Sequence, residues 1–171
     1  MNNIQTIYLA GGCYWGMEEL FRVIPGVLQT QVGFSGGHIP NVAYREVTTG
    51  TTGHAETLMV QFDGDQISLR NLLFEFFRLH NPTKLNQQGN DIGTQYRSAI
   101  FYQNAAQEII AKEVIDVVNR SGQWVLPVVT EVVLFKGFYP AEEKHQKYIL
   151  KYPDGYTCHF RRDLNFGVTD K

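Results

Sequence analysis

Apolar residues fall in short runs divided by glycine- and asparagine-rich breaks, and the runs alternate between strand and helix periods. Residues 4–10 predict a short buried strand that stops at Gly11-Gly12. From 14 to 24, Trp15, Leu20, Phe21 and Ile24 recur at near-helical spacing until Pro25-Gly26 stops the pattern. Residues 27–34 predict a second strand, closed by a Ser35-Gly36-Gly37 turn, and a polar loop containing Tyr44 leads to a third strand at 55–62. After the Asp63-Gly64-Asp65 turn, Ser68 can cap a helix whose Leu69, Leu72, Leu73, Phe76 and Phe77 form one wide apolar face, ended by His80-Asn81-Pro82. Residues 83–95 have almost no apolar content, and a loop of that length inside a compact domain is usually functional or disordered. A strand at 97–102, a helix at 105–120, a strand at 128–134 and a short helix at 141–150 precede an irregular tail from about 151 to 171. The order β-α-β-β-α-β with additions predicts an α+β fold with a ferredoxin-like split β-α-β core.

Composition narrows the field. The 171 residues are 43% hydrophobic, enough for one domain with a core and too few for two comfortable ones, so 1–171 is expected to be a single domain. Fifteen basic residues nearly cancel 17 acidic ones, for a formal charge of -2. Neither nucleic acid nor an anionic membrane is therefore the expected partner, and a monomer is expected. The start, Met1-Asn2-Asn3-Ile4, lacks the basic segment of a signal peptide, and no apolar run approaches a membrane span, so the cytoplasm is the expected compartment. The two cysteines, near opposite ends, form no Cys-x-x-Cys, and the five histidines form no His-x-x-x-His. In a reducing compartment such a pair is more often free or catalytic than structural, and no metal is expected.

Cys13 follows a strand and two glycines and opens a helix, where unpaired N–H groups and the macrodipole favour an anion. Up to about 2 kcal/mol from that terminus, at 1.36 kcal/mol per decade, would bring a thiol from about 8.5 to about 7. An inert buried cysteine is the alternative. A dinucleotide loop would need glycine where Cys13 stands, and a nucleophile elbow would need glycine in place of Trp15. If 55–62 is a strand, Glu56 shares a face with Leu58, Val60 and Phe62, so its carboxylate ends a core-facing row. Keeping it protonated at pH 7 requires about 3.7 kcal/mol, which burial can supply, and it could then donate a proton; a solvated or paired strand-end carboxylate is the bland alternative.

Tyr44, Asp91 and Tyr96 lie in or beside the polar loops, and a tyrosine hydroxyl can donate to a developing oxyanion. Tyr14 and Trp15 could wall a pocket for a methyl group, though such aromatics more often simply pack. Cys158, in Gly155-Tyr156-Thr157-Cys158-His159, sits in a tail where a second thiol could swing onto an oxidised first one. His54, before a strand, and His145, on the polar side of the short helix, are read as structural.

Together these residues resemble the A-type peptide-methionine sulfoxide reductases. Gly12-Cys13-Tyr14-Trp15-Gly16 is similar to that family's Gly-Cys-Phe-Trp-Gly, and Gly53-His54-Ala55-Glu56 matches its Gly-His-Ala-Glu. Val32-Gly33-Phe34-Ser35-Gly36-Gly37, Tyr44-Arg45-Glu46-Val47, the run from Gln88 to Ser98, and His145-Gln146 are similar to further segments, in order, from about Ile4 to His159. The resemblance implies reduction of methionine S-sulfoxide, free or in proteins, without metal or bound organic cofactor, on a ferredoxin-like core extended at both ends. It implies Cys13 as nucleophile forming a sulfenic acid, Glu56 as proton donor, Tyr44 and Tyr96 on the sulfoxide oxygen, Asp91 ordering the site, and Tyr14 and Trp15 on the methyl group. Cys158 would then resolve the sulfenic acid to a disulfide, which thioredoxin reduces. Tyr14 departs from the family's phenylalanine, Asn81 from its common aspartate, and Thr157 lengthens its Gly-Tyr-Cys-His tail. A thiol peroxidase, a cysteine hydrolase and a non-catalytic binder of oxidised segments are the rival readings.

Overall fold

The computed structural model describes residues 3–167; Met1 and Asn2, part of the signal-peptide reading, and the last four residues of the tail lie outside the described residues. The chain runs β1 (Ile4–Gly11), α1 (Tyr14–Phe21), β2 (Val27–Ser35), α2 (Tyr44–Val47), β3 (Ala55–Asp63), α3 (Leu69–Leu79), β4 (Gln87–Gln88), β5 (Asp91–Ile92), β6 (Ser98–Tyr102), α4 (Ala105–Ser121), β7 (Glu131–Leu134), β8 (Tyr139–Pro140) and α5 (Tyr148–Lys151). The main sheet has the order β7-β6-β1-β3-β2-β8. Its central four strands, taken in chain order, stand fourth-first-third-second with antiparallel neighbours, which is the ferredoxin-like arrangement. β7 joins one edge in parallel and β8 joins the other antiparallel.

Alternation sorts the two faces. On β3, Glu56, Leu58, Val60 and Phe62 point to one side and are all buried, and the three apolar ones join the main core with Phe21, Leu72, Phe76, Val114 and Val118 of the helices. Ala10, Ala55, Ala99 and Phe101 form a smaller cluster with Tyr8 and Phe135. Ser68 caps α3 by accepting the N–H of Asn71, and Asn104 caps α4 in the same way through Gln107. α4 ends on Gly122 in the left-handed conformation.

Two expectations are corrected, and a third is sharpened. The helix expected at 141–150 is two short pieces, a 3-10 turn at Glu143–His145 and α5, because side chains between them have better partners elsewhere. The Gln146 side chain bonds both the N–H and the C=O of Val32, and Lys147 takes a positive φ of 55° so that its N–H and Nζ reach the buried carboxylate of Glu18. β7 begins at Glu131 rather than 128, since the N–H groups of Val128 and Val129 go to Asn119 and to Pro82. The loop at 83–95 is ordered by the β4–β5 hairpin, which Gln88 ties to Asn81 through two hydrogen bonds of 2.8 and 2.9 Å. Among the described residues no helix is long and apolar enough to cross a membrane.

Candidate active site

Cys13 stands at the N-cap of α1, where the first backbone N–H groups of a helix lack intrahelical partners. The N–H of Tyr14 goes to Glu56 Oε1 at 3.1 Å, and Met17 closes the first helical turn onto the carbonyl of Cys13. The N–H groups of Trp15 and Gly16 favour the thiolate of Cys13, although neither forms a well-aligned cap bond to the sulfur. Gly12, at φ 95°, makes the left-handed step that turns the strand into this helix.

The expected thiol near 7 is not what this terminus yields. Cys13 is 7% exposed, and burial, with the nearby Glu56 carboxylate second, pushes its pKa up rather than down. Desolvation outweighs two backbone dipoles, so the free site holds a protonated thiol at neutral pH.

Glu56 follows the expected direction. It is 1% exposed, and burial first, with Asp91 adding to it, raises its pKa to about 8 against the opposing N–H of Tyr14. Oε1 accepts that N–H, while Oε2 is buried without a partner. A neutral acid with one oxygen serving as acceptor carries its proton on the other, so Oε2 is the free donor.

Around this pair lie the aromatic and polar residues of the loops. The hydroxyls of Tyr44 and Tyr96 act on each other electrostatically, and burial raises the pKa of both. Glu56, Asp91 and Cys13 all act electrostatically on both tyrosines. Tyr44 opens α2, with its N–H on Glu142. Its loop is fixed by His54, whose ring bridges the N–H of Gly37 and the carbonyl of Ile39. Trp15 stacks on Tyr148 at 3.8 Å and, with Tyr44, Lys144, His145 and Tyr152, lines an aromatic cleft of about 350 Å³. Tyr14 lies beneath it, 1% exposed, with its hydroxyl unpartnered.

Cys158 is half-buried and, like Cys13, a free thiol. Its sulfur is 3.8 Å from the carbonyl of Gln88 and packs on Gly89 in the β4–β5 turn. The Tyr156 hydroxyl interacts with this sulfur and donates to Asp91 Oδ2 at 3.2 Å, linking the tail to the loop. Among the described residues no group of His, Cys, Asp and Glu could hold a metal ion.

Of the residues singled out in the sequence, Cys13, Glu56, Tyr14, Tyr44, Asp91 and Tyr96 thus share one electrostatic neighbourhood, Trp15 lines the aromatic cleft beside Tyr44, and Cys158 is coupled to Asp91. Three residues were missed. His145 is not on a polar helix face but buried, its ring 4.5 Å from Tyr44; Nδ1 accepts from Trp15 Nε1–H at 3.1 Å, and Nε2 is buried without a partner. The break at Gln146-Lys147 turns it inward, which helical periodicity could not foresee. Arg97 reaches Gly53, Thr94 and Glu131 and so fastens the segment before Glu56 to the turn carrying Tyr96. His159 bonds Gly11 across 148 positions of sequence.

A family model described as peptide methionine sulfoxide reductase matches residues 5–169. Peptide methionine sulfoxide reductase MsrA 1 of Mesorhizobium japonicum is 51% identical over 154 residues, covering 90% of this chain and 87% of its own. The MsrA of Streptomyces coelicolor is 51% identical over 158 residues, covering 92% and 90%. Among solved structures, Mxr1 of Saccharomyces cerevisiae in reduced form superposes with a TM-score of 0.89 at 36% identity, covering 94% of this chain and 93% of that one. Methionine sulfoxide reductase A of Corynebacterium diphtheriae gives 0.86 at 37% identity, covering 99% and 84%.

Proposed function

Since the chain belongs to the peptide methionine sulfoxide reductase family, we propose that it performs that reduction through Cys13 and Glu56, on the S-sulfoxide, as one catalytic domain. The enzyme is an oxidoreductase that converts methionine sulfoxide to methionine. The observation that carries the assignment of residues is the buried, unpartnered Glu56 Oε2, protonated up to about pH 8, beside a buried thiol at the start of α1.

That starting state suits the overall chemistry, because thiol plus sulfoxide gives sulfenic acid plus thioether with no net change in protons. Tyr44 and Tyr96 receive the sulfoxide oxygen as hydrogen-bond donors, and Asp91 and Tyr156 keep that pocket polar. Glu56 protonates the oxygen, which makes the sulfur electrophilic and creates a carboxylate able to take the thiol proton. The Cys13 sulfur attacks the sulfoxide sulfur and the S–O bond breaks, releasing the oxygen as water. Water then adds to the Cys13 sulfur as the S–S bond breaks, so methionine departs and Cys13 is left as a sulfenic acid. Trp15 and the ring of Tyr14 hold the methyl group. Cys158 then condenses with Cys13 to a disulfide, and a dithiol partner, thioredoxin in this proposal, restores both thiols by exchange. The setting we propose is the cytoplasm, where dithiol systems keep thiols reduced.

The test is mass spectrometry of a single turnover. A Cys158→Ser protein given methionine sulfoxide should release one equivalent of methionine and gain one oxygen on Cys13, whereas wild type should lose two hydrogens. An unmodified Cys13 in both proteins defeats the mechanism.

A further inference from the structure

His159 takes no part in the chemistry described so far, yet its ring is engaged at both nitrogens. Nε2 lies 2.7 Å from the carbonyl oxygen of Gly11, which can only accept, so the ring proton belongs on Nε2. Nδ1 is then a bare lone pair, and it stands 3.9 Å from Cys158 Sγ, within reach of a sulfur hydrogen bond. The ring is 8% exposed, and burial lowers its pKa to about 4, which leaves it neutral at physiological pH.

Its seat is made of glycine. A Cβ at Gly16 would strike Thr157 Oγ1 and His159 Nδ1; one at Gly12 would lie 2.6 Å from Gln88 Cβ and 3.2 Å from His159 Nε2. The two glycines that flank Cys13-Tyr14-Trp15 are thus the berth of the residue next to Cys158. The other groups that face Cys158 are less suited to take its proton. The Gln88 carbonyl cannot hold one, and the Tyr156 hydroxyl faces the sulfur as a donor and also donates to Asp91. Asp91 acts on Cys158 electrostatically but already accepts that hydroxyl, and Arg162 favours the thiolate without accepting.

We propose that His159 is the proton acceptor for Cys158 when that thiol resolves the Cys13 sulfenic acid: its bond to Gly11 moors the ring while Nδ1 faces the sulfur. This rests on the reading of Cys158 as the resolving thiol. In the step, the Cys158 S–H bond breaks and its proton passes to Nδ1. The Cys158 sulfur bonds to the Cys13 sulfur, and the S–O bond of the sulfenic acid breaks. The departing hydroxide takes the proton back as water, so the disfavoured imidazolium never accumulates. The Cys13 sulfur is reduced and the Cys158 sulfur oxidised, with no outside oxidant.

The experiment mixes protein with one equivalent of methionine sulfoxide, quenches with an alkylating agent, and times disulfide closure by mass against methionine release. His159→Gln keeps an amide N–H for the Gly11 carbonyl but presents no acceptor at the position of Nδ1; His159→Asn does the reverse. Closure relative to methionine release at pH 7 should fall by about a hundredfold in both variants, at the low edge of general-base effects, because an amide oxygen cannot hold a proton. The deficit should shrink as rising pH ionises Cys158 without help. Closure at the wild-type rate in His159→Gln, or a slowing that persists undiminished at high pH, overturns the assignment and leaves the ring a mooring. No disulfide in wild type at all overturns the resolving role of Cys158 itself, and the two failures are told apart by the wild-type trace.

Discussion

Replacing Glu56 by glutamine should make the protein more stable, and increasingly so as pH rises from 5 to 8. In the unfolded chain this carboxyl ionises near its ordinary value of 4.5, and in the fold only near 8. Its folded pKa is raised, so between those values the folded state holds a proton that the unfolded state has released, and stability falls as pH rises through that window. At 1.36 kcal/mol per decade the loss is about 3 kcal/mol at pH 7 and levels off at about 5 kcal/mol above pH 8. Glutamine does not titrate, and its carbonyl can still accept the Tyr14 N–H, so the variant escapes the loss. The measurement is urea unfolding of both proteins at pH 5, 6, 7 and 8.5. The quantity of interest is their difference, because His80 and His159, held neutral by burial with pKa values of about 3 and 4, weaken both proteins alike as pH falls below 6.5. A difference that stays constant with pH would show that Glu56 titrates alike in both states, and the buried-acid argument would fail with it.

Further outcomes follow from the same geometry. In the methionine-release half-reaction, Glu56→Gln should retain activity through its amide donor while Glu56→Ala loses far more; equal rates in wild type and both variants would remove Glu56 from the chemistry. Tyr44→Phe and Tyr96→Phe should each slow that release by roughly a hundredfold, as for other oxyanion donors, and the double variant should lose less than the product because the two hydroxyls serve the same oxygen and act on each other electrostatically. Tyr14→Phe should stabilise the protein by about 1 kcal/mol, since it removes a buried hydroxyl that has no partner; thermal melts giving no gain would mean that hydroxyl is satisfied in solution. Gly16→Ala should slow disulfide closure by displacing Thr157 and His159, and alkylation kinetics showing normal closure would deny the tail this berth.

The period of apolar residues carried much of the architecture. Strands 4–10, 27–34 and 55–62 and the long helices at 69 and 105 are found within a residue or two, because a half-buried strand and an amphipathic helix each write their period into local sequence. Glu56 was legible for the same reason: parity along β3 places it beside Leu58 whatever the rest of the chain does. Cys13 at the mouth of a helix was readable from Gly11-Gly12 and the spacing after it. What local sequence could not supply was the balance of forces at that mouth. Two N–H groups would lower the thiol pKa, but how far burial and Glu56 raise it depends on strands 40 residues away, and only the packed structure decides that desolvation wins. The inward turn of His145, the clasp of Arg97 and the docking of His159 on Gly11 likewise depend on contacts between residues far apart in the chain. Local sequence determined the elements and the chemical character of the residues within them; tertiary packing alone decided which of those residues meet, and how much water is left between them.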